Sequence, residues 1–228
     1  MKISILIPVY NEFKTIKDVI ELVRSVDISK EIILVDDCST DGTRELLRES
    51  YGDGREEIRI FYHAKNGGKG AAIRTALSKA SGDYVIAQDA DMEYSPQDIK
   101  KLFAAAEKTR ADAVYGSRFL ETWKVTSFPH FFINWFLTAL TNIFFGGSLT
   151  DMETCYKMVK TGVIRSLDLR AERFEIEPEI TSKLLRKGCK IEEVPISYRG
   201  RGYDEGKKIS WRDGVEAVFV IFKLKFQG

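Results

Sequence analysis

The sequence predicts an α/β protein whose central sheet is mostly parallel and flanked by helices. Two observations support this class. Short apolar runs alternate with segments of helical spacing through the first half of the chain, as is typical of parallel sheets with crossover helices. The composition is also that of an ordinary globular protein, with 44% hydrophobic and 30% charged residues in a chain of 228. Because ligands of such sheets bind at the carboxyl ends of the strands, functional residues are expected in the loops that follow them.

Strands and helices alternate in the predicted first half. The strands are short apolar runs at residues 3–9, 31–35, 58–62, 84–87 and 113–115. The helices between them cover residues 15–26, 43–50, 69–80 and 96–108. In the first helix, apolar residues recur at every third or fourth position from Ile16 to Val23, which builds one buried face. Pro96, preceded by Ser95 as a cap, marks the start of the last helix.

The second half of the chain is less regular. Its predicted elements are an aromatic uncharged segment, a strand, a helix, a strand and a final helix, at residues 128–147, 156–159, 175–187, 190–198 and 210–226. A loop at 199–208 precedes the final helix. No repeat or linker separates the halves, so we expect one domain over residues 1–228, with a first lobe at 1–115 and a second at 116–228.

Charge and cysteine content exclude several classes of protein. The formal net charge is +1, which argues against a general nucleic-acid binder. Cys38, Cys155 and Cys189 are far apart, so a disulfide framework or a zinc site is not expected and a reducing compartment fits better. The apolar run at 3–9 is too short for a signal peptide, and no apolar stretch reaches the roughly 18 residues of a membrane span.

Carboxylates follow three of the predicted strands. They are Glu12 after the first, Asp37 after the second, and Asp89, Asp91 and Glu93 after the fourth. On extended backbone, side chains two residues apart point the same way, so Asp89 and Asp91 are expected to converge. Two carboxylates at one point repel unless a proton or cation neutralises them, and Mg²⁺ or Mn²⁺ is the natural cation for oxygen ligands. An isolated Asp-x-Asp is usually a solvated turn, but its position after a buried strand favours a metal site.

A glycine-rich segment, Gly67–Gly70, lies between the third strand and a helix. It lacks the spacing of the P-loop, so ATPase activity is not indicated. The backbone N–H groups at such a helix start can bind an anion, and a plain tight turn is the alternative.

Four motifs occur in order in the first half: Pro8–Glu12, Val35–Asp37 with Ser39–Thr43, Asn66–Ala71, and Asp89–Asp91. Three more follow: Gly116–Arg118, Glu193–Tyr198 and Arg201–Lys207. Together they resemble the family 2 inverting glycosyltransferases of the GT-A fold. The last three are similar to the branch that contains the dolichyl-phosphate mannose and glucose synthases. The resemblance covers nearly the whole chain, and it implies a nucleotide-sugar-binding lobe at 1–115 and an acceptor and membrane-interface lobe at 116–228.

The resemblance implies roles on the donor side. The nucleotide-binding set is Pro8, Tyr10, Glu12, Asp37, Lys69 and Asp89. Asp89 and Asp91 would hold Mg²⁺ or Mn²⁺ on the nucleotide-sugar diphosphate, with Glu93 as an added carboxylate. The mannose synthases tend to have Gln where Glu93 stands, so mannose and glucose both remain open.

On the acceptor side, the resemblance implies dolichyl or polyprenyl phosphate. This group is already ionised and needs cationic partners rather than a general base. Arg118, Arg201 and Lys207 match the phosphate-binding positions, and both arginines join Asp89 and Asp91 in the predicted catalytic set.

Two further carboxylates, Asp151 and Glu179, are candidates for an acid–base or ligand-orienting role. The helix dipole is the simpler explanation for Glu175 and Glu177 at the predicted helix start.

A membrane-facing helix is predicted at 128–147. His130, Asn134, Thr138 and Asn142 recur every four residues and form one polar stripe, with ten large apolar residues around it. A fifteen-residue helix in this segment would be about 22 Å long, shorter than the roughly 30 Å of a bilayer core, so it would lie in the interface together with the final helix. A buried core helix or a subunit contact are the alternatives. Residues 183–225 contain eleven Lys and Arg against six Asp and Glu, which suits an anionic surface.

The function predicted from the sequence is metal-dependent, inverting transfer of mannose or glucose from a GDP- or UDP-sugar to polyprenyl phosphate. The protein would attach peripherally to the cytoplasmic side of a membrane and would not bind nucleic acid. A membrane-spanning partner subunit is left open. Two alternatives remain: transfer to a saccharide hydroxyl with Asp151 or Glu179 as base, and a non-catalytic nucleotide-sugar-binding subunit.

Overall fold

The computed structural model describes residues 1–52, 54–55, 57–120, 128–200 and 211–226. Within these residues, eight strands form one sheet in the order β3-β4-β2-β1-β5-β7-β6-β8. The strands are β1 (Ile3–Val9), β2 (Lys30–Asp36), β3 (Gly54–Arg55), β4 (Ile58–Tyr62), β5 (Tyr84–Ala87), β6 (Ala113–Ser117), β7 (Lys157–Lys160) and β8 (Ile191–Pro195). The predicted α/β class is confirmed.

Helices connect these strands and cover the sheet. They are α1 (Ile16–Ser25), α2 (Thr43–Tyr51), α3 (Lys69–Lys79), α4 (Ile99–Thr109), α5 (Phe128–Phe145), α6 (Thr161–Arg165), α7 (Ile176–Arg186) and α8 (Trp211–Phe226). Pro96 begins a short 3-10 helix, Pro96–Asp98, that leads into α4 rather than the first turn of α4 itself. The short elements β3 and α6 were not predicted, because two and five residues carry no readable periodicity.

The strand β7 interrupts the parallel order of the sheet. β1 pairs in parallel with β2 and β5, and β2 with β4. β7 lies antiparallel between β5 and β6, with Val159 opposite Val85 and Lys157 opposite Tyr115. The beginning of β7 therefore lies at the carboxyl ends of β5 and β6. This placement brings residues 151–156 to the edge where ligands of parallel sheets bind.

The core has a cluster on each face of the sheet, as expected for a sheet with helices on both sides. Ile5 and Ile7 of β1 pack on the face that contains Val19 of α1, whereas Leu6 packs on the face that contains Ile73 of α3. These five side chains are buried, and each large aliphatic side chain contributes about 1.5–3 kcal/mol when removed from water. Cys38, Cys155 and Cys189 are free thiols, as predicted.

The helices α5 and α8 form a separate layer. Leu137 of α5 packs with Met152, Ala217 and Ile221 in a small cluster of its own. The outer sides of both helices expose large apolar side chains: Phe132, Ile133, Trp135, Phe136 and Ile143 of α5, and Val215, Phe219, Phe222 and Phe226 of α8. We call this set the apolar α5–α8 surface. Among the described residues, no helix combines the length and the apolar character needed to cross a bilayer.

Candidate active site

Strained backbone marks the carboxyl edge of the sheet. Asn11, Cys38 and Met92 have φ angles of 50°, 63° and 65°, in the left-handed region that residues other than glycine rarely adopt. They follow β1, β2 and β5, so all three lie at the same edge. Such conformations cost about 1–3 kcal/mol each and concentrate at functional sites. Two further residues, Arg110 after α4 and Asp168 after α6, have such angles elsewhere, so three of the five in the described chain lie at the edge that the sheet topology predicts.

The loop after β1 carries the predicted nucleoside-pocket residues. Tyr10 is exposed and Pro8 is partly buried, so both can be reached from this edge. Glu12 is buried, and its backbone N–H donates to Thr43 Oγ1 at 3.0 Å. Thr15 Oγ1 lies 2.8 Å from Glu12 Oε2 and 2.7 Å from the carbonyl oxygen of Ala90. Glu12 thus helps to join the loop after β1 to the loop after β5, and its contact with a nucleoside stays a prediction.

The carboxylate of Asp37 holds the glycine-rich turn. Asp37 Oδ1 accepts the N–H of Gly67 at 2.9 Å, and Oδ2 accepts the N–H of Gly68 at 2.7 Å. His63 Nδ1 lies 2.7 Å from Asp37 Oδ1. A Cβ on Gly68 would lie 2.4 Å from the carbonyl oxygen of Glu172, so close packing requires glycine there. Two N–H groups of the turn are therefore bonded to Asp37, and contacts of Asp37 with a base or ribose stay a prediction.

Asp89 and Asp91 lie on a turn, because β5 ends at Ala87. Strand alternation therefore does not set the directions of these two side chains, and their convergence stays a prediction. Asp91 Oδ1 accepts the backbone N–H of Glu93 at 3.1 Å, which is a turn contact. The side chain of Asp89 is 21% exposed, and its Oδ1 lies 2.8 Å from Lys69 Nζ.

Lys69 links Asp89 to α7. Its Nζ lies 3.2 Å from Glu177 Oε1, and Glu177 also pairs with Lys157 at the start of β7. Burial lowers the pKa of Lys69, but Asp89 and Glu177 together raise that pKa above its ordinary value, so the ammonium stays charged. The result is a buried chain of alternating charges that ends at the partly exposed Asp89.

The sequence analysis did not assign Glu177 to the site, because a carboxylate at a helix start is already favoured by the helix dipole. The signal that could have found it is Lys157, a lysine at the start of a buried strand that needs a carboxylate partner. Glu179 has a different role. It accepts the N–H groups of Arg170 at 3.0 Å and Ala171 at 2.8 Å, and it pairs with Lys183. The structure therefore brings Glu177, and not Glu179, to the Lys69–Asp89 pair.

The carboxylates of the β5 loop suit a divalent ion that also binds phosphate. Magnesium is usually held by one or two carboxylates together with substrate phosphate oxygens. Asp89 and Asp91 supply that donor type at an accessible edge. The side chain of Glu93 turns to Tyr198, whose hydroxyl donates to Glu93 Oε2 at 2.6 Å. In the part of the chain that the structure describes, no three such side chains converge on one point, so Asp89, Asp91 and Glu93 do not form a complete cage.

Arg118 and Asp151 form a buried, two-bonded ion pair on the other side of the edge. Arg118 Nε and Nη2 each lie 2.7 Å from an oxygen of Asp151, and the backbone N–H of Arg118 donates to the same carboxylate. The side chain of Asp151 is 0% exposed and that of Arg118 is 11% exposed. Burial lowers the pKa of Arg118, but Asp151 raises that pKa above its ordinary value. Of the two roles predicted for Asp151, orienting Arg118 is the one that this geometry provides.

Tyr198 lies between the two sides of the edge. Its ring centroid is 5.1 Å from the guanidinium carbon of Arg118, while its hydroxyl reaches Glu93. One aromatic residue thus contacts both the predicted phosphate-binding arginine and the loop of the predicted metal ligands.

The polar stripe of α5 holds the loop that carries Asp151. Thr138 Oγ1 accepts the N–H of Met152 at 3.0 Å. Asn142 exchanges two hydrogen bonds with Leu149, at 2.8 and 3.0 Å. The stripe therefore faces the protein and the aromatic side faces outward. The side chain of His130 lies outside the described residues, as do Arg201 and Lys207.

Residues 4–167 match the sequence profile of the family described as Glycosyl transferase family 2. Two relatives are polyprenyl-phosphate enzymes. The undecaprenyl-phosphate mannosyltransferase of Micrococcus luteus is 27% identical over 91% of this chain and 87% of its own length. The dolichol-phosphate mannosyltransferase of Pyrococcus furiosus is 28% identical over 91% of this chain, which spans only 59% of that longer enzyme.

A solved structure has the same fold. The glucosyl-3-phosphoglycerate synthase of Mycobacterium tuberculosis, in complex with Mn²⁺, uridine diphosphate and phosphoglyceric acid, superposes with a TM-score of 0.73 at 19% identity. The match covers 99% of this chain and 78% of that one. The GT-A fold expected from the sequence motifs is confirmed.

Proposed function

This chain belongs to glycosyl transferase family 2, and we propose that it transfers a hexose from a nucleotide sugar to a polyprenyl phosphate. The observation that carries the proposal is the pairing of two sites at one edge of the sheet. Accessible carboxylates lie on the turn after β5, and the guanidinium of Arg118 lies after β6 on the other side of Tyr198. The two relatives that are undecaprenyl-phosphate and dolichol-phosphate mannosyltransferases support the acceptor class.

On the donor side, Asp89 and Asp91 would hold Mg²⁺ or Mn²⁺ against the diphosphate of the nucleotide sugar. The bound ion supplies positive charge to the departing nucleoside diphosphate. Lys69 stays protonated beside Asp89 and limits the repulsion between that carboxylate and Glu177. The Mn²⁺ and uridine diphosphate in the mycobacterial relative support this arrangement.

On the acceptor side, Arg118 would bind the lipid phosphate. A phosphate oxygen forms the new bond to the anomeric carbon while the bond from that carbon to the diphosphate oxygen breaks on the opposite face, which inverts the configuration. Because the phosphate is already ionised, no base has to remove a proton. Asp151 fixes the plane of the guanidinium, and the resemblance adds Arg201 and Lys207 as further cations.

The test is a screen of UDP- and GDP-hexoses against a short polyprenyl phosphate, with Mn²⁺, with Mg²⁺ and with chelator. We expect one donor to give a lipid-linked sugar phosphate, and chelator to abolish the transfer. Transfer to a soluble saccharide hydroxyl, with none to the lipid phosphate, would select the alternative acceptor. Nucleotide-sugar binding without turnover on any acceptor would select a non-catalytic subunit.

We also infer that the apolar α5–α8 surface rests on a lipid bilayer. Trp135 is 54% exposed and Phe219 is 67% exposed, and such aromatic clusters on monomers mark interaction sites. Lys223 and Lys225 in the last turn of α8 add positive charge that suits anionic lipid. The inward polar stripe of α5 leaves the aromatic side free for the membrane. The three free thiols favour the cytoplasmic face.

Flotation with vesicles that contain anionic lipid and polyprenyl phosphate tests this attachment. We expect the wild-type protein to float, and Trp135→Ala with Phe219→Ala to weaken binding about tenfold or more, since each aromatic side chain contributes about 1.5–3 kcal/mol on burial. Phe13→Ala is the matched control, because Phe13 is 49% exposed and lies in the loop after β1. Wild-type protein that stays unbound, or equal losses in both variants, would contradict the inference.

A further inference from the structure

Glu153 lies in the turn between Asp151 and β7, and the turn is anchored on both sides of the candidate active site. On one side, Asp151 holds Arg118. On the other side, the N–H of Cys155 donates to the hydroxyl of Tyr94 at 3.2 Å, which places the turn next to the loop after β5. Glu153 is therefore held at the junction of the predicted donor and acceptor sides.

One carboxyl oxygen of Glu153, Oε1, is buried and has no hydrogen-bond partner among the described residues. Glu175 also has one unpartnered oxygen, but its other oxygen accepts the N–H of Glu172 at 3.0 Å. Buried polar atoms are almost always paired, since an unpaired one costs about 1–3 kcal/mol. An unpaired carboxyl at an active site therefore points to a ligand that supplies the missing bond.

The charged groups that face Glu153 come from three elements. Lys157 of β7 and Arg118 after β6 favour the ionised carboxylate, while Glu177 of α7 and Asp151 oppose it. Burial is the largest influence, and it raises the pKa of Glu153 to about 7. Near neutral pH the carboxyl group can therefore donate a hydrogen bond in one form and accept one in the other.

The in-line geometry of the proposed reaction places the transferred hexose between the donor side and the acceptor side. The transferred hexose must lie between the departing diphosphate, near Asp89 and Asp91, and the attacking phosphate, near Arg118. Charged neighbours connect Glu153 to both sites. Asp151 pairs with Arg118 on the acceptor side, and Glu177 contacts Lys69, which pairs with Asp89 on the donor side.

We propose that Glu153 binds a hydroxyl group of the transferred hexose and so helps to select the sugar. The proposal rests on the proposed function, because it places the sugar between donor and acceptor. It assigns Glu153 to sugar recognition and not to proton removal, since an ionised lipid phosphate has no proton to lose.

The test measures binding of the nucleotide sugar without acceptor. The preferred donor from the screen is compared with its four monodeoxy analogues and with the free nucleoside diphosphate, by competition, for wild type and Glu153→Gln. We expect one deoxy analogue to bind the wild type about tenfold or more weakly than the parent sugar, as for loss of a hydrogen bond to a buried group. In Glu153→Gln the same ratio should fall to about one- to threefold.

The free nucleoside diphosphate is the internal control. Its affinity should change less than twofold in Glu153→Gln, because the proposal confines Glu153 to the sugar. If folded Glu153→Gln binds the diphosphate and every donor more weakly by the same factor, with the deoxy-to-parent ratio unchanged, the proposal is overturned. A change in the Michaelis constant for the lipid phosphate alone would also overturn it.

Wild-type protein supplies a second measurement if Glu153→Gln does not fold. Equal binding of all four deoxy donors would show that no ring hydroxyl is recognised there, and the proposal would fail. Failure of the proposed function looks different, since the acceptor screen would then show no transfer to polyprenyl phosphate, whichever donors the protein binds and distinguishes.

Discussion

The two sides of the candidate active site handle charge in opposite ways. On the donor side, Asp89 is 21% exposed and shares a single cation, Lys69, with Glu177. On the acceptor side, Arg118 is held by two short bonds to Asp151, which is 0% exposed. The donor side thus keeps negative charge at an accessible surface, whereas the charge of the acceptor-side arginine is already matched inside the protein.

This difference separates a site that takes up a cation from one that supplies orientation. A carboxylate at an accessible surface can take up a divalent ion, and the ion then binds phosphate. A guanidinium fixed by Asp151 adds little net charge, but its remaining N–H groups point in a set direction. The acceptor phosphate would therefore depend on further cations, for which Arg201 and Lys207 remain the predicted residues.

The largest effect is expected from Asp91→Asn, which tests the donor side. Loss of one metal-binding carboxylate should lower the rate of transfer about a thousandfold, because the departing diphosphate loses its counter-charge. Asp18→Asn, an exposed carboxylate on α1, is the matched control and should leave the rate unchanged. The initial rate of hexose transfer at saturating donor is measured for both variants and for wild type. Undiminished transfer by Asp91→Asn would refute the metal role.

The next effect is expected from Asp151→Asn, which breaks the acceptor side. Arg118 would keep its charge in a buried position without a carboxylate partner, and the free energy of unfolding should fall by about 3 kcal/mol. Urea denaturation measures this loss. Asp168→Asn is the control, since the Arg170–Asp168 pair has side-chain exposures of 81% and 77% and should contribute nothing measurable. Equal stability of the two variants would contradict the comparison.

The third prediction concerns Glu153, which lies between the two sides, and the pH dependence of the free energy of unfolding. Burial raises the pKa of Glu153 from 4.5 to about 7, so the folded state keeps a proton that the unfolded state releases. Wild-type stability should therefore fall as pH rises between about 4.5 and 7, by up to about 3 kcal/mol. Glu153→Gln should lack that contribution and gain stability relative to wild type between pH 4.5 and pH 8. Urea denaturation at a series of pH values in this range measures the free energy of unfolding of both proteins. The same dependence on pH in both would contradict the prediction.

The smallest effect is expected from Thr138→Val on α5. The variant keeps the shape of threonine but leaves the N–H of Met152 without its acceptor, which should lower the free energy of unfolding by about 1 kcal/mol. Thr141→Val is the matched control, because Thr141 Oγ1 is buried and has no hydrogen-bond partner among the described residues. That variant should be neutral or slightly stabilising. The reverse order of stabilities would show that α5 does not hold the Asp151 loop.

The secondary structure of the first half of the chain could be predicted because it follows from local sequence patterns. Apolar runs and helical spacing predicted β1, β2, β4, β5 and β6 within a few residues, and the carboxylates at the strand ends identified the correct edge. The convergence of Asp89 and Asp91 stays a prediction, since both residues lie beyond the end of β5, where turn contacts such as those of Glu93 and Tyr198 set the geometry.

The second half depends on contacts between residues far apart in the chain. Nothing near Lys157 indicates that its strand inserts between β5 and β6, and this insertion is what brings Glu153 and Glu177 to the site. The polar stripe of α5 was recognised, but not its partners Leu149 and Met152. Burial of a lone carboxyl group, as at Glu153, leaves no trace in sequence spacing.

The position of β7 also limits how the protein can be cut. A fragment of residues 1–115 would include most of β6 but lose both of its partners, β7 and β8, and β5 would lose β7. The open edge of β5 would expose unpaired backbone groups, which favours aggregation. An isolated nucleotide-binding half is therefore a poor reagent for crystallography or ligand screening, and inhibitors should be sought against the uncut chain.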